Sequence, residues 1–384
     1  MGFNWEVEVM HRFKELMDNR HEYTKKWKAR TGGKVLGYFE PYTPEEVIYA
    51  AGVLPIRLLG RHEPDDMTDR YIYGSCACAR DIVNQVALGR FDYVDGVTYA
   101  EACQWMRQAF ISCQAFQSFS YNYDIFVPDY VDGHRSKEVM YSEMQAFKKA
   151  LQEWTGNIIT DEALDHAIDV YNTNRRLMRQ VYELRRADNP VVSGSEAMEM
   201  VLASQVMDKE DHNRMLEDAL KALRKRKNVQ NTGPRLMLVG SPTSDAKLER
   251  LIEKLGAVVV IDELCTGSGY FWNEVIPQED RLLAISLRYL GKPHCALKDN
   301  NWRRRPAHIH QLYEDFNAQG VIIAKQIYCH PHGTDNPHIW KILRERNYPF
   351  HFLEQDTTLS EREMKTRLEA FINMVEPVRV TLQG

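Results

Sequence analysis

The chain has 384 residues, with 49 Lys and Arg against 54 Asp and Glu, a formal charge of −5 at pH 7. Apolar residues make up 44% and charged residues 27%, a globular balance that excludes general disorder. Without a basic excess, nothing points to nucleic acid as a partner.

At roughly 150 residues per domain the length allows two or three domains. The opening Met1-Gly2-Phe3-Asn4-Trp5-Glu6 runs into a charged helical pattern with no apolar leader. Glu6 stands where an N-myristoylation pattern needs Ser or Thr. The longest apolar run, 255–261, has seven residues, which suits one buried strand and falls far short of a membrane span. No membrane partner is expected, and the expected location is cytoplasmic. In a reducing compartment the seven cysteines read as buried, metal-binding or catalytic rather than disulfide-bonded.

Residues 1–33 read as an N-terminal helical segment, with Trp5, Val9, Phe13 and Met17 on a four-residue period and Thr31-Gly32-Gly33 breaking it. The run 34–39 predicts a buried strand. Thr43-Pro44-Glu45-Glu46 predicts a helix start, with Thr43 as cap, Pro44 in the first position and Glu46 closing a capping box. The run 53–59 predicts a second strand, and strand–helix–strand order implies a parallel α/β sheet over 34–136. A helix near 76–89, a strand near 93–97, a helix over about 100–109 and a strand within 116–126 continue it. Residues 137–232 read as a helical connecting segment, with Met140, Met144, Phe147, Leu151 and Trp154 on one helix face. Its basic end, 221–227, reads as a solvated helix terminus. A second α/β domain, 233–384, begins with the strand 235–239 and Gly240-Ser241-Pro242. Ser244 is the expected cap of the next helix, and strands follow at 257–261, 320–324 and 349–353. Ligands of such sheets bind beyond the carboxyl ends of the strands.

The cysteines are Cys76, Cys78, Cys103, Cys113, Cys265, Cys295 and Cys329. None is spaced as CxxC, which excludes a zinc ribbon, a bacterial ferredoxin motif and a thioredoxin motif. Cys76, Cys103 and Cys329 fall at predicted strand ends or helix starts, where backbone N–H groups favour thiolate. Cys329 opens the expected loop Cys329-His330-Pro331-His332-Gly333. Three thiolates from separate segments suit an iron–sulfur cluster. His330 and His332, beside Cys329, are candidate proton donors. Arg303-Arg304-Arg305 reads as a phosphate grip or a solvated loop, and Gly240-Ser241 as a close approach to a ligand or a turn.

These residues resemble the 2-hydroxyacyl-CoA dehydratase and benzoyl-CoA reductase family. The fragments are Tyr42-Thr43-Pro44-Glu45-Glu46-Val47-Ile48-Tyr49-Ala50-Ala51-Gly52, Cys76-x-x-x-Arg80 and Phe91-Asp92-Tyr93-Val94-Asp95-Gly96-Val97. Cys103 before a helix, Gly240-Ser241-Pro242, Asp262-Glu263-Leu264-Cys265-Thr266-Gly267 and Gly320-Val321-Ile322 leading to Cys329 complete them. The length and Cys265-Thr266-Gly267-x-x-Tyr270-Phe271-Trp272 resemble the benzoyl-CoA reductase branch, in its smaller catalytic-module subunit. The resemblance implies two Rossmann-like or flavodoxin-like parallel-sheet domains with helical segments. It also implies a [4Fe–4S] cluster held by Cys76, Cys103 and Cys329, with Cys78 as rival to Cys76 and Cys265 as a neighbour rather than a ligand. Cys113 and Cys295 match nothing in the family and read as core residues.

The implied partners are a homologous larger catalytic subunit, ATP-hydrolysing iron–sulfur activator subunits, ferredoxin as electron donor and an acyl-CoA substrate. The chain itself has no GxxxxGK[ST] nucleotide motif. Reduction of benzoyl-CoA to a cyclohexadiene-carbonyl-CoA is the activity expected. The alternatives are radical water elimination from a 2-hydroxyacyl-CoA, or an electron-relay or structural subunit without chemistry of its own. The last is favoured by Ser268-Gly269, where many relatives carry an Arg.

Overall fold

The computed structural model describes residues 5–61, 68–226, 233–293, 295, 296, 298, 304–356 and 361–375. Helices α1 (Trp5–Asp18) and α2 (Arg20–Thr31) come first, followed by β1 (Val35–Tyr38), α3 (Glu45–Ala50), β2 (Leu54–Arg57), α4 (Asp69–Ile72), α5 (Ala77–Ala87), β3 (Gly96–Ala100), α6 (Gln104–Cys113) and β4 (Tyr121–Ile125). Four helices follow: α7 (Ser136–Thr155), α8 (Asp161–Glu183), α9 (Gly194–Ser204) and α10 (Lys209–Leu223). The remainder runs β5 (Arg235–Gly240), α11 (Lys247–Lys254), β6 (Val258–Leu264), α12 (Ser268–Phe271), α13 (Arg281–Leu290), α14 (Arg304–Asp315), β7 (Gly320–Gln326), α15 (His330–Glu345), β8 (Phe350–Gln355) and α16 (Glu361–Val375).

The strands form two four-stranded sheets, ordered β2-β1-β3-β4 and β6-β5-β7-β8, with every neighbouring pair parallel. The α/β class with two parallel sheets is therefore as the sequence implies. Successive strand residues point to opposite faces, and helices bury both faces. In β1, Val35 packs with the α5 and α6 side while Leu36 packs with the α3 and α7 side. In β5, Leu236 and Leu238 face the α11 and α16 side, and Met237 and Val239 face the helical layer. The α7 stripe Met140, Met144, Phe147 and Leu151 is buried as its spacing predicts. Among the described residues no helix is long and apolar enough to cross a membrane.

The local differences have physical reasons. The N-terminal segment is two helices, because Asn19 leaves helical geometry (ψ 22°) and turns its side-chain amide back onto the Glu15 carbonyl at 3.0 Å. Gly32, in the left-handed region at φ 67°, ends α2. The cap of α3 is Pro44 rather than Thr43, whose buried hydroxyl has no partner among the described residues. Glu46 closes no capping box; it pairs with Arg175 of α8 and accepts a hydrogen bond from Tyr289 at 2.9 Å. Ser244 does not cap α11, whose N-cap is Ala246; Thr243 Oγ1 accepts the Asp245 N–H and Asp245 Oδ1 accepts the first helical N–H, that of Lys247, at 2.9 Å. Residues 330–333 are not a loop but the first turn of α15, since Pro331 lacks only an N–H that the first turn leaves unbonded.

A buried polar layer joins the first sheet to the helices. Lys209 donates to Tyr270 Oη at 2.6 Å, and Tyr270 donates to Glu45 at 2.7 Å. Burial alone would raise the Glu46 carboxyl, but Arg175 and then Arg288 outweigh it and hold it down to about 2. A carboxyl depressed on folding contributes stability above its unfolded value of 4.5, and that contribution is lost as pH falls toward about 2. Arg175→Met should cost about 3–5 kcal/mol in urea denaturation near neutral pH, because Glu46 is left buried and unpaired. The deficit should shrink on acidification through that window.

Candidate functional site

The carboxyl ends of the two sheets meet, and the loops leaving them carry most of the cysteines. Gly240 at the end of β5 has φ 141°, and a Cβ there would stand 1.9 Å from the Ala324 carbonyl oxygen. Only glycine lets β5 close on β7 at this point, so the glycine serves strand approach. It places Ser241, whose hydroxyl accepts the Gln326 N–H at 3.0 Å and also bonds the Cys329 thiol.

Three cysteines are N-caps. Cys76 caps α5, Cys103 caps α6 and Cys329 caps α15, each in non-helical backbone. Two belong to the first sheet's side of the cleft and one follows β7 of the second. Burial raises all three thiols above the ordinary cysteine range. Cys78 and Cys329 stand close enough to raise Cys76 further, and Glu40 and then Cys76 do the same to Cys103. First-turn N–H groups oppose this: Ala79 at Cys76, Met106 and Trp105 at Cys103, and His332 at Cys329. Among the described residues no group of three or more His, Cys, Asp or Glu closes on a single metal ion.

Cys78 is tied up differently. Gln326, buried at the end of β7, donates to the Cys78 sulfur at 2.9 Å and accepts the Cys78 N–H at 3.0 Å. The Cys78 thiol lies 3.5 Å from the Pro242 carbonyl oxygen. Arg80, four residues beyond Cys76, pairs with Asp356 at 2.9 Å. Cys113 is a core residue packed with the α5 and α6 side of the first sheet.

Cys265, after β6, is the exception in charge. A hydrogen bond from Cys295 outweighs burial and, with Arg57 and Lys292, holds its thiol down to about 6. Arg57, buried at the end of β2, reaches the Cys265 carbonyl oxygen at 3.4 Å and its sulfur at 3.9 Å. Glu40, 3% exposed in the loop after β1, is pushed up to about 8 by burial, against Arg57, Lys292 and Lys298. A small cavity of about 10 Å³, about enough for one water, is lined by Pro41, Gly240, Cys265, Lys292, Cys295 and His332, among others.

His330 and His332 occupy unlike places. His330 is exposed at the start of α15, its ring 5.8 Å from that of Trp105. His332 is buried, and neither ring nitrogen has a partner among the described residues. Burial, then Arg305 and Lys325, push it well below the ordinary histidine range, so it is neutral at pH 7. The basic run at 303–305 is not a free grip. Arg305 is buried in ion pairs with Glu263 and Asp335, Arg304 pairs with Asp132, and Arg303 lies outside the described residues.

Sequence reasoning missed Arg57, Glu40, Lys292, Gln326 and the pairing of Cys295 with Cys265. Arg57 had a signal, a charge inside an apolar run that reads as a buried strand. Cys295 had none, because thirty residues of sequence separate it from Cys265.

Residues 41–375 match the family described as 2-hydroxyglutaryl-CoA dehydratase, D-component. The chain belongs to this family. It is 27% identical to a benzoyl-CoA reductase subunit of Thauera aromatica, over 85% of this chain and 86% of that one. It is 23% identical to the (R)-phenyllactyl-CoA dehydratase beta subunit of Clostridium sporogenes, over 94% and 96%. It is also 23% identical to the beta subunit of (R)-2-hydroxyglutaryl-CoA dehydratase of Acidaminococcus fermentans, over 90% and 93%.

Cys295→Ala should move the Cys265 thiol upward from about 6, because its hydrogen-bond donor is gone. The pH dependence of thiolate ultraviolet absorbance in the metal-free chain reads this, with Cys265→Ala as the blank. An unchanged titration would remove Cys295 as the cause.

Proposed function

We propose that the chain is the iron–sulfur subunit of an ATP-dependent benzoyl-CoA reductase, with a [4Fe–4S] cluster held by Cys76, Cys103 and Cys329. The observation that carries the reading is the convergence of three helix-capping cysteines from both sheets. A cluster spreads its thiolate ligands over separate irons, farther apart than around one ion. Three thiols that sense one another without closing on a single point suit that need. Each is raised by burial, and Cys76 and Cys103 are raised further by a neighbouring thiol, so as thiolates they call for positive charge. When bound, such a cluster supplies low-potential electrons one at a time.

The remaining residues have separable tasks. Gln326 and the Pro242 carbonyl engage the Cys78 thiol, which leaves Cys76 as the first ligand. The Ser241 hydroxyl and the first-turn N–H groups stabilise thiolate charge at the ligands. Glu40, raised to about 8, holds its proton at neutral pH beside the cysteines, and His330 is the exposed histidine of the pair. His332, neutral and buried, is not the proton donor. A homologous larger subunit, ATP-hydrolysing iron–sulfur activator subunits, ferredoxin and acyl-CoA complete the proposed system.

A second reading, a dehydratase subunit eliminating water from a 2-hydroxyacyl-CoA, has support from the matched family and from full-length relatives named as dehydratases. The reductase reading rests on the resemblance around Cys265-Thr266-Gly267 and on the 27% relative. Ser268 in place of a family Arg leaves room for a relay subunit whose partner holds the acyl-CoA.

Anaerobic purification should give a brown protein with about four irons per chain. Cys76→Ser, Cys103→Ser and Cys329→Ser should each lose most of the iron, and Cys78→Ser should keep it. A colourless protein with one zinc would sink the cluster. With the homologous subunit, activator and ATP, turnover of benzoyl-CoA but not of 2-hydroxyacyl-CoA is expected, and the reverse would select the dehydratase.

A further inference from the structure

We propose that Cys265 and Cys295 form an oxidation site, a thiol pair that a small hydroperoxide converts reversibly to a disulfide. The pair is separate from the three helix-capping cysteines, and it stands independently of the function proposed above. No disulfide joins the seven cysteines, so the structure holds the pair in its reduced form.

The two thiols come from separate segments and meet in one place. Cys265 follows β6 and sits inside a turn in which the Gly267 N–H donates to the Leu264 carbonyl at 3.0 Å. Gln205 holds the Thr266 carbonyl at 2.9 Å, and Arg57 reaches the Cys265 carbonyl at 3.4 Å. Cys295 follows α13 in a stretch anchored on both sides. Lys292 donates to the Pro41 carbonyl at 2.9 Å, and Lys298 donates to the Val127 carbonyl at 2.7 Å. So held, the Cys295 thiol donates a hydrogen bond to Cys265, and both residues line the one-water cavity beside Gly240. A disulfide needs its sulfurs about 2 Å apart. Thiols already in hydrogen-bond contact have a short way to go, and the cavity beside them gives room to close.

The pair also differs chemically from the other cysteines. Burial pushes up the thiols of Cys76, Cys78, Cys103, Cys113 and Cys329. Cys265 is buried as well, yet Cys295 and Arg57 hold it down to about 6. The thiolate is the nucleophile, so at neutral pH Cys265 attacks first. With hydrogen peroxide, its sulfur bonds to one oxygen as the O–O bond breaks. The other oxygen leaves as hydroxide and takes up the proton that Cys265 gave to solvent, forming water. Cys265 is then a sulfenic acid. The Cys295 sulfur attacks it, the S–S bond forms and the S–O bond breaks, and the hydroxyl leaves as water with the Cys295 proton. The two sulfurs give up two electrons and the peroxide takes both. Each residue is 8% exposed, which suits an oxidant of a few atoms rather than a bulky disulfide.

The test is peptide mapping of the full chain, prepared without oxygen, treated with one equivalent of hydrogen peroxide and then alkylated in denaturant. The expected product is one linked peptide pair holding Cys265 and Cys295, with two fewer free thiols per chain and recovery of both on adding dithiothreitol. Cys265 should be consumed at least about tenfold faster than Cys113, whose thiol burial pushes up. With Cys295→Ser the same dose should leave Cys265 as a sulfenic acid that dimedone captures. With Cys265→Ser it should leave Cys295 reduced. The wild-type map decides the matter even if a variant folds poorly. A different disulfide formed while Cys265 and Cys295 stay reduced, or loss of Cys265 no faster than that of Cys113, would overturn the pair. Oxidation of Cys265 beyond the sulfenic acid with no bridge would overturn Cys295 as its partner. Iron counted in the same samples reports separately on the proposed function.

Discussion

The buried guanidinium of Arg57 is the point on which the arrangement of the two sheets depends. Its backbone N–H donates to the Gln205 carbonyl at 2.7 Å, and its side chain donates to Gln205 Oε1 at 2.9 Å. The same side chain reaches Cys265 beyond β6. Gln205 in turn donates to the Thr266 carbonyl at 2.9 Å. One cation thus ties the first sheet, the end of α9 and the second sheet together. A charge buried to this degree is stable only if paired. Cys265, whose thiol is held low by Cys295 and Arg57, faces it, so the joint and the electrostatics of the cleft are the same feature. Moving one sheet against the other would strand Arg57, and this fixes which loops face each other.

That constraint explains why the chemistry-bearing residues gather from so many segments. Both sheets have the same kind of order, with an early crossover, and each presents its carboxyl edge to the other. The loops at those edges end in helix N-termini, so the cleft is walled by N–H groups as well as by thiols. A cysteine at an N-cap is held in extended backbone, outside the helix and facing its first-turn donors. The same position, used three times, puts three thiols toward one space although 253 residues separate Cys76 from Cys329 (329 − 76 = 253).

The sheets were legible in the sequence because parallel strands buried on both faces are continuous apolar runs. Runs such as 34–39, 53–59 and 320–324 need no context to be read. Helix caps were less legible. Thr43 and Ser244 have the right chemistry, but tertiary contacts decided otherwise: Glu46 is claimed by Arg175, and the loop before α11 satisfies itself through Thr243 and Asp245. The positions of Cys76 and Cys103 at helix starts could be read, since strand-then-turn patterns precede each, whereas Cys329 read as opening a loop and starts α15 instead. Their convergence could not, because nothing local to a segment records which other segment it faces.

Cys76 and Cys78 show the limit most sharply. They are two residues apart and chemically alike, so spacing alone gives no preference. At a helix start, however, two positions differ by roughly 200° around the axis. Both thiols sense Cys329, but Cys76 is the one that acts on Cys103, while Cys78 bonds Gln326 and the Pro242 carbonyl. The difference comes from the second sheet, because both partners of Cys78 lie on its edge. The side-chain amide of Gln326 fills the hydrogen-bonding capacity of Cys78 at both the sulfur and the backbone. A thiol so engaged would have to break those bonds to bind anything else, whereas the Cys76 thiol has no such side-chain partner to give up among the described residues.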